Sequence, residues 1–311
     1  MEGRFSGAQR AEGPIPAPAV SFPALSRSLK TTLEMIKFSH TLFALPFALL
    51  AAVLAARGLP ALPTLAKILL AMVGARSAAM SHNRLADHAI DAANPRTASR
   101  ALPSGAVSAG FVRIFLAGSV VLFLLAAASL NRLTFALSPA ALALLLLYSY
   151  TKRFTWLSHL VLGLCLALAP IGAWIAVSGS FAWTPILLGL AVLFWTAGFD
   201  ILYALQDEDH DRRAGLKSVP ARWGARTALA ASAALHAAMI PLLLAVWRLS
   251  GGGALFAAGI LATAAALLYQ HAIVKPGDLS RINTAFFTAN GFVSVILAFC
   301  GIADVLLRPP S

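Results

Sequence analysis

The 311-residue chain carries 12 acidic residues, and they are unevenly spread. Asp87 and Asp91 fall in one short stretch, and Asp200, Asp207, Glu208, Asp209 and Asp211 in another. Asn83, Asp87 and Asp91 stand at i, i+4 and i+8. On a helix such rungs rise about 6 Å and drift about 40° per step, so they form a ladder on one face. Tyr203, Asp207 and Asp211 repeat that spacing at an offset of 120 residues, rung for rung. A single ladder reads equally well as a solvated helix end whose acids align. Two ladders at equivalent places favour a different arrangement, in which they face each other across a cavity and hold a divalent metal. Carboxylate and amide oxygens are hard ligands that suit Mg²⁺, an ion that keeps waters and shares its shell with substrate phosphates.

The neighbouring cations supply the phosphate half of that chemistry. After the first ladder come Asn94-Pro95-Arg96-Thr97, Arg100 and Leu102-Pro103-Ser104-Gly105. Pro95 is expected to end the helix, so that the loop carries two arginines back over the ladder. After the second come Arg212, Arg213, Gly215, Lys217 and Ser218. A third basic segment, Tyr148-Ser149-Tyr150-Thr151-Lys152-Arg153, lies between them in sequence. Arginine suits bidentate contacts to phosphate, and lysine adds a point charge. The same cations also serve as topology signals, and the two readings are not exclusive. His82 and His88 flank the first ladder, but six residues apart they share no helix face, and zinc ligation is not expected. Cys165 and Cys300 sit in apolar runs without metal-ligand spacing and read as small buried hydrophobes.

The elements that must position these residues are membrane helices. The chain is 59% hydrophobic and 12% charged, about half the charge of a soluble domain. A bilayer core needs roughly 20 apolar residues as helix. Nine spans meet that rule: 38–57, 63–82, 110–130, 133–150, 157–178, 183–205, 226–247, 253–272 and 284–307. The expected fold is an all-α, multi-span transmembrane bundle of about nine helices. The ladder offset equals four spans, which points to two pseudo-repeats of four helices plus one. Asn131-Arg132 alone separates the third and fourth spans, so their turn must be tight. Residues 1–27, rich in Pro, Gly, Ala and Ser, read as a disordered tail, and 28–311 as a single transmembrane domain.

A net charge of +12 is the kind that binds nucleic acid, but here the cations occur in short clusters between apolar spans. Only Arg57, Arg132, Arg248 and Arg308 fall on the side away from the N-terminus, while Lys67 and Arg76 lie within the second span. That asymmetry is the positive-inside pattern. It sets the N-terminus and both ladders on the cytoplasmic side of the membrane and leaves nucleic acid without support.

The motifs NRxxDxxxDxxNPRTxxRxLPSG (Asn83 to Gly105) and DxxYxxxDxDxDxxxGxKS (Asp200 to Ser218) resemble those of the UbiA-type intramembrane prenyltransferases. The resemblance covers nearly all of the chain after residue 30. It departs at Arg84, where many members carry an acid. It implies that Asn83, Asp87, Asp91, Asp207 and Asp211 hold Mg²⁺ on a polyprenyl diphosphate. It further implies that Arg96, Arg100, Lys152, Arg153 and Lys217 neutralise the diphosphate, with Tyr148 and Tyr203 at the same site. The acceptor would be an aromatic ring, with Phe43, Phe47, Trp195 and Phe199 as candidates to stabilise the allylic cation. An aromatic residue in a span is more often packing. The segment Met35 to Phe47 resembles the 4-hydroxybenzoate branch of that family, which overlaps with a branch that prenylates naphthoates in menaquinone biosynthesis. Lys37 would pair with the acceptor's carboxylate or simply snorkel at a helix start, and His40 has no visible partner.

A rival class is a cation-coupled transporter with the acids as its ion path. Such groups tend to lie near the bilayer midplane, whereas these gather at one end of the spans. A soluble-type prenyl diphosphate synthase also uses acidic clusters but has no need of nine spans.

Overall fold

The structure, a computed structural model of the chain, describes Thr31, residues 41–275 and residues 277–308. The expected tail and the segment containing Lys37 and His40 lie outside the described residues. Those described form an all-helical bundle. In chain order it comprises α1 (Thr41–Ala56), α2 (Leu62–Ala86), α3 (His88–Ala93), α4 (Ala109–Leu130), α5 (Arg132–Thr151), α6 (Ser158–Ser178) and α7 (Trp183–Ala204). A 3₁₀ turn (Leu205–Asp207) leads into α8 (Glu208–Arg213). Then follow α9 (Val219–Leu249), α10 (Ala254–Ile273), a π-helical segment (Thr284–Ala289) and α11 (Asn290–Leu306).

Eight of these helical stretches are long and apolar enough to cross a membrane, and α1, at 16 residues, is shorter. Each of the nine coincides with one of the spans expected from hydropathy. The second helix runs past the expected end at 82 to Ala86, which brings Asn83 onto the helix itself. The seventh begins earlier than expected, at Val219, because it joins two pieces across Gly224, whose φ of 77° and ψ of 171° interrupt the helix. That conformation is open to glycine and strained for other residues.

Local chemistry accounts for the boundaries. Asn131, in extended conformation, both ends α4 and caps α5. Its side-chain oxygen accepts from the Thr134 amide at 2.9 Å, and its amide donates to the carbonyls of Ile175 (2.8 Å) and Ala176 (3.2 Å) at the end of α6. One residue thus closes three helix ends, which is why the turn can be so short. Ser108 and Ser218 cap α4 and α9 in the same way, and Gly179 ends α6 in left-handed conformation. Helix α3 stops before Asn94, which is extended (φ −97°, ψ 117°) as the residue preceding Pro95 must be.

Helix α7 is the central element, packed between α6 and α9. Small residues permit close approach. A methyl group at Gly163 of α6 would lie 2.4 Å from the Leu193 carbonyl oxygen of α7, and one at Gly198 of α7 would lie 2.4 Å from the His236 ring of α9. The core joins Phe43, Phe47, Trp195, Phe199 and Phe286 with aliphatic residues of α1, α7, α9, α10 and α11.

The two halves match in detail. Both ladder helices break at the same rung. Asp87 (φ −94°, ψ 8°) follows α2 and precedes the six-residue α3, and Asp207 (φ −107°, ψ 6°) precedes the six-residue α8. The ladders therefore do not ride on unbroken helices, as their spacing alone implies. The first nevertheless keeps its rungs, because Asp87 N–H bonds the Asn83 carbonyl (2.9 Å) and Asp91 N–H bonds that of Asp87 (2.7 Å).

Candidate active site

Every rung of the first ladder is engaged. Asp87 is 3% exposed. It accepts from Lys152 Nζ at 2.7 Å, Arg153 Nη2 at 3.3 Å and Asn83 Nδ2 at 3.2 Å. Arg153 also donates to the Ala86 carbonyl at 2.6 Å. The end of α5 thus clamps the middle rung. Asp91 is 5% exposed. Arg100 Nη1 reaches both of its oxygens, at 2.7 and 2.8 Å, and Arg84 Nη1 lies 3.4 Å away. A charge buried to this degree needs such partners, since desolvation disfavours it otherwise.

The loop after α3 crosses to the second ladder. Arg96 Nε donates to Asp207 Oδ1 at 2.8 Å, and its Nη2 bonds the other oxygen, so the guanidinium grips the carboxylate through two atoms. Asn94 Nδ2 donates to the same carboxylate at 3.3 Å, while Asn94 Oδ1 accepts the Arg96 amide at 3.0 Å. Arg96 Nη1 continues to the Tyr203 hydroxyl (3.4 Å), and its guanidinium lies 5.6 Å from that ring's centroid. Burial by itself would lower the Arg96 pKa. The hydrogen bond and charge of Asp207, with Tyr203, outweigh it and raise the pKa, so the cation is locked in.

Asp211 joins this mouth through the Ser218 hydroxyl, while its carbonyl accepts from the Leu216 amide at 2.9 Å. The basic loop after α8 is tied to the end of α5 by Lys217 N–H bonding the Lys152 carbonyl at 2.7 Å. The Lys217 ammonium, however, is turned to the Phe154 carbonyl (3.1 Å) and sits 4.8 Å over the Trp156 ring. Of the residues expected at the site, Asn83, Asp87, Lys152 and Arg153 form one side-chain cluster, Asp91 and Arg100 a second, and Arg96, Tyr203 and Asp207 a third. Bonds to the main chain, from Asp91 N–H to the Asp87 carbonyl and from Thr97 to the Asp91 and Asn94 carbonyls, link the three into one mouth. Tyr148 lies beside it near the end of α5, where the charges of both Asp87 and Asp200 act on its phenol. Lys37 lies outside the described residues.

Sequence reasoning passed over two members of the network. Arg84 appeared only as a departure from the family pattern, yet it is 7% exposed and points at Asp91. Asn94 was read only as part of a helix-ending loop, yet it ties that loop to Asp207. Below the mouth, Tyr203 stacks on Phe286 (centroids 4.2 Å, planes 33° apart). Phe286 in turn meets Phe199 and Phe43. The aromatics expected to face the cation therefore pack largely on one another. Phe286, in the π-helical segment, is the member that spacing did not single out.

Among the described residues no three His, Cys, Asp or Glu side chains converge closely enough to hold a metal alone. That does not conflict with Mg²⁺, which binds through one or two carboxylates and completes its shell with water and phosphate oxygens. The donors present are of that type.

These features define an integral membrane helical bundle with a charged mouth built from two equivalent half-sites. The chain belongs to the UbiA prenyltransferase family, whose model matches residues 44–294, and it is a prenyltransferase by that membership. It is 34% identical over 256 residues to the 4-hydroxybenzoate octaprenyltransferase of Aeromonas salmonicida, covering 82% of this chain and 88% of that one. It is also 34% identical over 249 residues to the enzyme of the same name from Yersinia pseudotuberculosis, covering 80% and 85%. Among solved structures it resembles the apo structure of a UbiA homologue from Aeropyrum pernix, at 37% identity and TM-score 0.78, over 86% of this chain and 98% of that one. The fold is shared with a UbiA homologue from Archaeoglobus fulgidus solved with GPP and Mg²⁺, at 21% identity and TM-score 0.65, over 88% and 99%.

Proposed function

We propose that this chain transfers a polyprenyl group from polyprenyl diphosphate to the ring of 4-hydroxybenzoate in quinone biosynthesis. Family membership and relatives of that name, matched over most of both chains, support the reaction. One observation carries the site: Asn94 and Arg96, on the loop that follows the first carboxylate row, bond Asp207 of the second, which supports a single mouth served by both halves.

Asn83, Asp87, Asp91, Asp207 and Asp211 are the residues that would hold Mg²⁺, which supplies Lewis-acid stabilisation of the departing diphosphate. Arg96, Arg100, Lys152 and Arg153 now partner the carboxylates. When diphosphate binds, these cations turn from carboxylate to phosphate oxygens and neutralise the leaving group as its charge develops. Lys217 joins them by swinging from the Phe154 carbonyl. Tyr203 keeps Arg96 in register, and Tyr148 lines the space beneath. Lys37 is assigned to the acceptor's carboxylate on sequence grounds alone.

In the reaction the C–O bond to diphosphate breaks and the electron pair leaves with the phosphate. The ring attacks the allylic carbon, and the ring proton is lost. The prenyl tail lies among the spans, and the distribution of Lys and Arg supports a cytoplasmic mouth in a bacterial inner membrane. Residues 28–311 act as one domain.

The test is turnover by the purified chain in nanodiscs with one polyprenyl diphosphate, offered 4-hydroxybenzoate and a naphthoate in parallel. Prenylated 4-hydroxybenzoate is the expected product, and its formation stops in excess EDTA. Prenylation of the naphthoate alone would reassign the acceptor, and full activity in EDTA would contradict the metal.

A further inference from the structure

Asp200 belongs to the second motif, but the scheme above gives it no task. It lies inside the spanning helix α7, where an ionisable side chain is expensive and signals function. Its surroundings are dry, since residues 195–199, Ile201 and Leu202 are all buried. Asp200 itself retains 23% side-chain exposure, so part of its carboxylate stays reachable in an otherwise sealed run. It stands three residues before Tyr203 on the same face of α7, about 5 Å deeper along the helix than the residue that bonds Arg96.

The partner of Asp200 is a histidine with one permitted tautomer. His159, the second residue of α6, is 5% exposed. Its Nε2 accepts the backbone N–H of Val219 at 3.3 Å. The proton must therefore sit on Nδ1, which donates to Asp200 Oδ2 at 2.7 Å. A neutral imidazole orients the carboxylate without cancelling its charge, unlike the guanidinium groups at the mouth. The same ring ties α7 to Val219, the first residue of α9 after the Lys217-Ser218 loop.

We propose that the Asp200 carboxylate accepts the ring proton released when the aromatic acceptor is prenylated, and that His159 is the positioning residue that holds it for this step. The inference rests on the aromatic prenyl transfer proposed above. As the new C–C bond forms, the ring carbon carries both the prenyl group and its hydrogen. That C–H bond then breaks, its electron pair restores the aromatic ring, and the proton passes to Asp200 Oδ1. His159 keeps its own proton and its bond to Oδ2 throughout.

The test compares 4-hydroxybenzoate with its 3,5-dideuterated form, using the full chain in nanodiscs and following diphosphate release and prenylated product separately. Wild type should form product with little isotope effect. Its failure to prenylate the acceptor at all would overturn the aromatic-transfer reading, and this proposal with it. In Asp200→Asn, product formation should fall on the order of 100-fold, as loss of a general base does. The KM for prenyl diphosphate should stay near wild type, and a deuterium isotope effect should appear because C–H cleavage now limits the rate. His159→Leu should move the same way, and His159→Asn, which keeps a side-chain N–H donor, should recover most of the rate. Where Asp200→Asn does not fold, Asp200→Glu takes its place: the displaced carboxylate should give reduced turnover with an isotope effect. Wild-type turnover without an isotope effect in the Asp200 variant would overturn the proposal. So would loss of prenyl diphosphate binding in step with loss of product.

Discussion

Asp87 and Asp207 adopt the same bridge-region backbone, with φ of −94° and −107° and ψ of 8° and 6°, each at the residue that opens a six-residue helix. Both helices re-aim their chain at the rung that carries a carboxylate into the mouth. The bridge region is sparsely populated and recurs at active sites. Asp87→Asn and Asp207→Asn should each lower kcat by about 100-fold or more, and the thermal midpoint should also fall, more for the buried Asp87, since each change strips the charge from cations that grip it. The double variant should fall well short of the product of the two, because both act on one ligand. Steady-state turnover beside a melting curve checks this.

Arg96 is the strut between the halves, gripping Asp207 through two nitrogens and touching Tyr203 with a third. Lysine cannot reproduce that fork. Arg96→Lys should raise the KM for prenyl diphosphate by roughly tenfold, a loss near 1.4 kcal/mol of transition-state stabilisation. It should also speed amide hydrogen exchange in the loop from Asn94 to Ser108. Titration of the substrate and exchange mass spectrometry measure the two effects independently.

The tight contacts around α7 make a stability prediction. Gly163→Ala sets a methyl against the Leu193 backbone, which cannot yield without moving a helix, and Gly198→Ala sets one against the buried His236 ring, which is held at both nitrogens by His271 and the Trp195 carbonyl. Overpacking of this kind costs about 1–3 kcal/mol. Both variants should therefore lower the thermal midpoint, as followed by unfolding in detergent.

Asn131 closes the ends of α4, α5 and α6 with one side chain. Asn131→Ala should cost at least the value of a lost cap, about 1 kcal/mol. Asn131→Asp keeps the acceptor for Thr134 but loses the donor to Ile175 and Ala176, and should fall between the two. The same unfolding measurement orders the three proteins.

The sequence made the fold and the carboxylate rows legible for simple reasons. Membrane helices announce themselves by length and apolarity, and the i, i+4, i+8 spacing survives the break at Asp87 because the helical hydrogen bonds continue through it. The break itself was invisible, since a continuous helix gives the same spacing. Arg96 was legible as a cation beside the first row, but not as the partner of an acid 111 residues away. Only the three-dimensional course of the loop decides that. Lys217 looked like another cation for the mouth, but the half-buried Trp156 ring and the Phe154 carbonyl hold its ammonium elsewhere. Composition of a basic loop does not specify which way each side chain turns.

The central claim is that both carboxylate rows serve one magnesium-bound diphosphate. It is tested most directly by equilibrium binding of a non-reactive prenyl thiolodiphosphate to wild type, Asp87→Asn and Asp207→Asn, each with and without Mg²⁺. Weakening of Mg²⁺-dependent binding in both variants, with metal-free binding nearly equal in all three proteins, is the predicted result. Wild-type, Mg²⁺-dependent affinity in either variant would contradict it.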